Sequence, residues 1–207
     1  MSFTVDMGGI KDLQRYMTSA PDATRQAMSD AINGAIKFAY AESSREIRKD
    51  VNFSQDYIGS VANGNRLKVS LYATKDAPIA KIRAEPRAVS LARFAANRGV
   101  FGKAGVSIMV KPGREEFLKE SFLMRLSVGS AAVTTDNFNI GLAVRLKPGQ
   151  VLRNRHKAVK FSTRDPNLYL LYGPSVDQVF NHVRDRIEPA VSKFLTSEFY
   201  RNFARHV

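Results

Sequence analysis

The 207-residue chain contains no cysteine. That removes disulfides, thiolate nucleophiles and cysteine–zinc sites together. Histidine is nearly as scarce. His156, His182 and His206 are far apart, and none has a partner at a ligand spacing such as H-x-x-x-H. No metal site is expected, and the spacing of His182 from Phe180 and Val183 puts it on the solvent side of a helix. No run approaches the roughly 20 apolar residues of a membrane span. The opening MSFTVDMGGI carries Asp6, has no basic n-region and leads into no apolar run, so no signal peptide and no membrane partner are expected. The chain is expected to fold and stay soluble in cytoplasm. Phosphate-cradling loops are missing as well: there is no Walker A sequence and no G-x-G-x-x-G. Gly99, Gly102 and Gly105 follow no apolar strand and open no helix. No serine or threonine lies in a nucleophile elbow. Glu115, Glu116 and Glu120 could form a carboxylate pair, but Arg114 and Lys119 interleave with them, which is the pattern of local charge balancing. No cofactor and no enzymatic activity are expected.

What is plentiful is positive charge, and its position matters more than its total of +13. Residues 1–60 hold 7 Lys/Arg against 8 Asp/Glu, residues 61–165 hold 20 against 7, and residues 166–207 hold 5 against 4. The excess sits in the middle of the chain, where it attracts polyanions or acidic protein surfaces, or serves solubility. Within that middle, Arg93, Arg98 and Lys103 fall in a glycine-containing stretch read as a mobile loop, and Arg153, Arg155 and Lys157 form a second cluster. Arginine's planar fork suits carboxylates and phosphates. Both clusters are candidates to line a DNA channel or to meet an acidic neighbour.

Periodicity predicts an α+β fold: N-terminal helices, a mainly antiparallel β-sheet and a long C-terminal helix. The chain reads as one domain over 1–207, helical in 1–50, basic and β-rich in 61–165, and helical again in 175–206. Ile10, Leu13 and Met17 mark a short helix. Pro21 opens a longer one, whose Ala23, Ala27, Ala31, Ala35, Phe38 and Ala39 form an alanine-rich face for core packing or for a subunit contact. Leu67, Val69 and Leu71 alternate as a strand. Ile79 and Ile82 suggest another, as do Val106, Ile108 and Val110, the stretch Phe117 to Leu126, and most clearly Phe138, Ile140, Leu142, Val144 and Leu146. LRNRHKAVK reads as irregular. Ser175, with Gln178 three positions on, is placed to cap the last helix. Its apolar stripe runs Val176, Val179, Phe180, Val183, Ile187, Val191, Phe194, Leu195, Phe199 and Phe203, with a kink expected at Pro189. Phe194 is expected to be buried, and Phe203 to be free to face a neighbour.

The junction before that helix carries a resemblance. A short apolar strand, then Tyr172, Gly173, Pro174, Ser175 and Val176, then a long amphipathic helix is similar to the phage minor tail protein Z family, the tail completion proteins. The alanine-rich helix, the apolar pair Tyr57-Ile58, the Pro112-Gly113 turn followed by Phe117 and Phe122, and the arginine-bearing strand Ala143-Val144-Arg145 agree with it. The segment Leu146 to Pro166 departs from the family pattern. The resemblance implies a virion protein of the tail or neck, assembled in the host cytoplasm, that completes the head-proximal end of a tail and supports head–tail joining. It implies partnership with copies of itself in a closed ring, roughly six from the symmetry of related tails. It also implies contact with other tail or neck proteins, such as a tail terminator, tail tube or head connector, and non-specific contact with genomic DNA. A DNA-binding protein acting outside a virion is the alternative that also explains the charge.

Overall fold

The computed structural model describes residues 2–5, 21–59, 65–96, 101, 102, 104–126, 134, 135, 138–151, 158–161 and 165–206. The expected helix at 8–17 lies outside them. The chain divides into two compact units. The first is formed by residues 1–48, 54–86 and 176–207, the second by residues 49–53 and 87–175. The fold class is α+β, as the periodicity predicts.

The first unit begins with a strand that periodicity did not reveal, β1 (Ser2–Val5). Helix α1 (Asp22–Asp50) follows, then the short α2 (Gln55–Gly59) with Tyr57 and Ile58 buried, and the strands β2 (Leu67–Leu71) and β3 (Ala80–Ala84). The unit closes with α3 (Val176–His206). The sheet is antiparallel in the order β1-β3-β2. Ala80, Ile82 and Ala84 bury one face of β3, and α3 packs on this strand. Helix α1 buries Ala27, Ala31, Ala35 and Ala39 with Met28, Ile32, Ile36 and Ile47, so the alanine stripe is a core face. It also clamps the segment after β2. Asn33 donates to the Ala73 carbonyl at 3.0 Å and accepts from the Ala73 amide at 2.8 Å, while Ser29 donates to the same carbonyl at 3.1 Å. At the start of α1, Asp22 meets Lys75 at 3.0 Å and also bonds Arg25. Those hydrogen bonds, Lys75's first, hold its carboxyl below the usual range. The stabilisation is therefore present above the unfolded carboxylate's pKa and is lost as pH falls through the lower folded value.

Helix α3 spans 31 residues with Pro189 inside it. Val176, Val179, Phe180, Val183, Ile187 and Val191 are buried, as the stripe predicts, and His182 is exposed. Beyond Val191 the expectation fails. Phe194, Leu195, Phe199 and Phe203 are only half-buried, whereas Glu198 and Asn202 are buried. The cause lies on α1. Gly34 has no side chain, and the Glu198 carboxylate fills the space, with Oε2 3.3 Å from where a Cβ would stand. Arg201 hydrogen-bonds that carboxylate. Phe194 stacks on Phe38 of α1 with centroids 4.5 Å apart. Half-burial lowers the worth of this ring from the 3–5 kcal/mol of a fully buried phenylalanine to about 1–3 kcal/mol. Urea denaturation of Phe194→Ala is the check on that range.

The second unit is built on a six-stranded antiparallel sheet. It contains β4 (Val89–Ser90), β7 (Ser121–Leu126), β8 (Thr134–Thr135), β9 (Phe138–Arg145), β10 (Ala158–Lys160) and β11 (Leu168–Gly173). The main path runs β10-β11-β9-β7, with β4 paired to β11 and β8 to β9. A separate hairpin joins β5 (Val106–Lys111) to β6 (Arg114–Leu118) through Gly113, whose φ of 73° supplies the left-handed turn. The expected strand from Phe117 to Leu126 is thus two strands broken at Lys119-Glu120, and part of the irregular stretch LRNRHKAVK forms β10. Registers place Phe122, Met124 and Leu126 on one sheet face with Ala143, Leu168 and Leu170. Leu123, Leu142 and Ile140 share the opposite face and are buried.

Candidate functional site

The junction Tyr172, Gly173, Pro174, Ser175 and Val176 carries the chain from the second unit into the first. Tyr172, the penultimate residue of β11, stands opposite Ser90 and packs on the Leu126–Leu170 cluster. Gly173 stands opposite Val89. A Cβ there would lie 3.0 Å from Leu91 and 3.4 Å from Phe94, so the 3₁₀ turn Leu91–Phe94 closes on bare backbone. Pro174 fixes φ and stiffens the entry. Ser175 and Val176 are buried at 1% exposure each. One of the amides that a helix N-terminus leaves without an internal partner is satisfied from outside: Asp177 donates to the Glu85 carbonyl at 3.2 Å.

Of the two basic clusters, only Arg93 is placed. Arg98, Lys103, Arg153, Arg155 and Lys157 lie outside the described residues. Arg93 does not sit in a mobile loop. It is half-buried on the 3₁₀ turn, which is anchored by buried Ala92 and Phe94 and capped by Ser90, whose Oγ accepts from the Ala92 amide at 3.3 Å. Further along, Phe101 bridges to Leu123 of β7. Gly102 and Gly105 donate to the carbonyls of Leu123 and Ser121 at 3.0 and 2.9 Å, and the Arg125 guanidinium lies 4.9 Å over the Phe101 ring.

No family model, curated protein or solved structure matches this chain.

No group of three or more potential metal ligands occurs among the described residues. Glu115, Glu116 and Glu120 are all exposed, and Arg114 stands 3.5 Å from Glu116, which is charge balancing. Open grooves occur among the described residues of each unit. One, of about 430 Å³, lies in the second unit between Phe117, Leu118, Ser121, Val144 and Leu171. Another, of about 440 Å³, lies in the first unit between Tyr40, Ser44, Arg48, Gln55 and Asp56. No helix among the described residues is long and apolar enough to cross a membrane.

One basic group escaped the sequence reading. Lys68 on β2 stands directly opposite Arg83 on β3, and Lys81 lies two residues along on the same outward face. The alternation of these residues with apolar ones was visible in each strand. Which strands pair, and in what register, was not.

Proposed function

We propose that this chain is a structural subunit of a phage tail or neck that completes the head-proximal end of the tail and supports head–tail joining, working as one member of a closed ring. The observation that carries the reading is the junction. Tyr172-Gly173-Pro174-Ser175-Val176 joins the end of an antiparallel strand to a 31-residue closing helix, the arrangement that resembles the tail completion proteins. Large apolar side chains left in solvent on both units support it. Phe117 is 66% exposed, Val159 56% and Tyr200 68%. In a ring, each subunit presents one surface to a different surface of the next, and such residues are what that contact covers. The second unit carries 16 Lys/Arg against 6 Asp/Glu, a surface suited to an acidic neighbouring ring or to the DNA that passes a tail.

The test is assembly. Native mass spectrometry of the purified chain, alone and mixed with tails lacking it, is expected to give a discrete multimer of about six copies. The mixture is expected to restore joining of tails to filled heads. A chain that stays monomeric at all concentrations and restores no joining would contradict the reading.

A further inference from the structure

The outward face of the three-stranded sheet is built in a way that its own stability does not explain. Lys68 and Arg83 are direct cross-strand partners, which puts their Cβ atoms about 4.5–5.5 Å apart, and like charges opposite one another destabilise a sheet. Lys81 follows two residues along β3, about 7 Å away at the usual rise per residue. All three side chains are exposed. Among the described residues no ion pair joins any of them to a carboxylate. The third strand offers no acid either, since its register sets Ser2 opposite Arg83 and Thr4 opposite Lys81.

A second feature belongs to the same face. The register of β2 against β3 shifts between Val69 and Leu71, so that Val69 pairs with Ile82 but Leu71 pairs with Lys81. Ser70 is the extra residue, and its hydroxyl donates to the Lys81 carbonyl at 3.2 Å. A bulge re-aims side chains. Leu71 leaves the core side and becomes 45% exposed beside Lys81, and Tyr72 just beyond it is 50% exposed.

We propose that this face is a binding site for the phosphate backbone of nucleic acid, with Lys68, Lys81 and Arg83 as the phosphate contacts. A polyanion relieves the uncompensated repulsion at the Lys68–Arg83 pair. A protein partner fits less well, because the centres of protein interfaces are depleted in charge and in lysine especially, whereas three cations lie together here. The contact reads no sequence, since phosphate contacts position a nucleic acid without specifying bases. The site holds for a lone protein and for a ring subunit alike, so it stands or falls separately from the tail reading.

The experiment uses the full chain and fluorescence anisotropy with a labelled 20-base-pair duplex and with its single strand, at 50 and 200 mM salt. Two triple variants each remove three positive charges: Lys68→Ala/Lys81→Ala/Arg83→Ala on the face, and Lys37→Ala/Lys193→Ala/Arg205→Ala at exposed positions of the helices α1 and α3. The face variant is expected to bind roughly 30-fold more weakly at low salt, with the slope of log affinity against log salt smaller by about 2–3. The other variant should change little. Lys68→Glu is expected to weaken binding while raising the melting temperature, because it converts a repulsive cross-strand pair into an attractive one. Equal losses in both triple variants, no binding by the native chain to either form of DNA, or displacement of DNA by polyglutamate as effectively as by unlabelled DNA would each overturn the proposal.

Discussion

Replacing Phe180 by alanine is expected to cost about 3–5 kcal/mol of folding stability. The ring is 1% exposed, on the second turn of α3, where the helix face that carries Val176, Val179 and Val183 is fully buried. A phenylalanine in that setting loses its transfer free energy and leaves a cavity the surrounding residues close only in part. The neighbourhood has little room to collapse. The start of α3 is fixed by Pro174 and by the bond from the Asp177 amide to the Glu85 carbonyl at the end of β3. Urea denaturation followed by circular dichroism measures the loss. Hydrogen exchange locates it, with protection expected to fall first at amides of α1, β3 and α3. A change below about 1 kcal/mol would mean that the buried stripe of α3 is not what holds the first unit together.

The second large effect is expected in the other unit. Leu142→Ala should cost about 2–5 kcal/mol. Leu142 is 0% exposed at the centre of β9, paired with Leu123 of β7 and flanked by buried Ile140 and Val144. Its strand has a sheet partner on each side, β7 and β11, so the backbone around the void is held by two ladders and cannot shift to fill it. Loss of amide protection in β7, β9 and β11 is the specific signature. Unchanged protection there, with a lowered melting temperature, would show that the destabilisation acts through some other part of the chain.

How far the sequence could be read differs from element to element, and the reasons are physical. Helix α3 was legible to its end at His206 because its spacing of three and four persists for eight turns, a long-range periodic signal. What each position faces was not. Glu198 is buried where Gly34 on another helix leaves space for it, and no property of residues 190–206 encodes that. Leu67, Val69 and Leu71 alternate as strands do, yet Leu71 faces solvent because one bulge at Ser70 reverses its side. A single extra residue in a ladder is set by pairing geometry rather than by composition. Strand β1 is only four residues long and has too few positions to show a period. The break between β6 and β7 hides for another reason: Lys119 and Glu120 are ordinary strand-compatible residues, without the glycine or proline that announces the turn at Pro112-Gly113. Of the candidate site, the Gly-Pro-Ser junction was legible because its residues act locally. The basic face of Lys68, Lys81 and Arg83 was not, because it exists only once β2 and β3 are paired.

The reading of this chain as a ring subunit at the head-proximal end of a tail is tested most directly by electron cryo-microscopy of intact particles carrying the chain with a tag after Val207. The expected result is tag density repeated around a closed ring at the junction of tail and head, with α3 and the six-stranded sheet fitted into each repeat. Tag density at the distal tip, or particles that are complete and infectious without the chain, would contradict it.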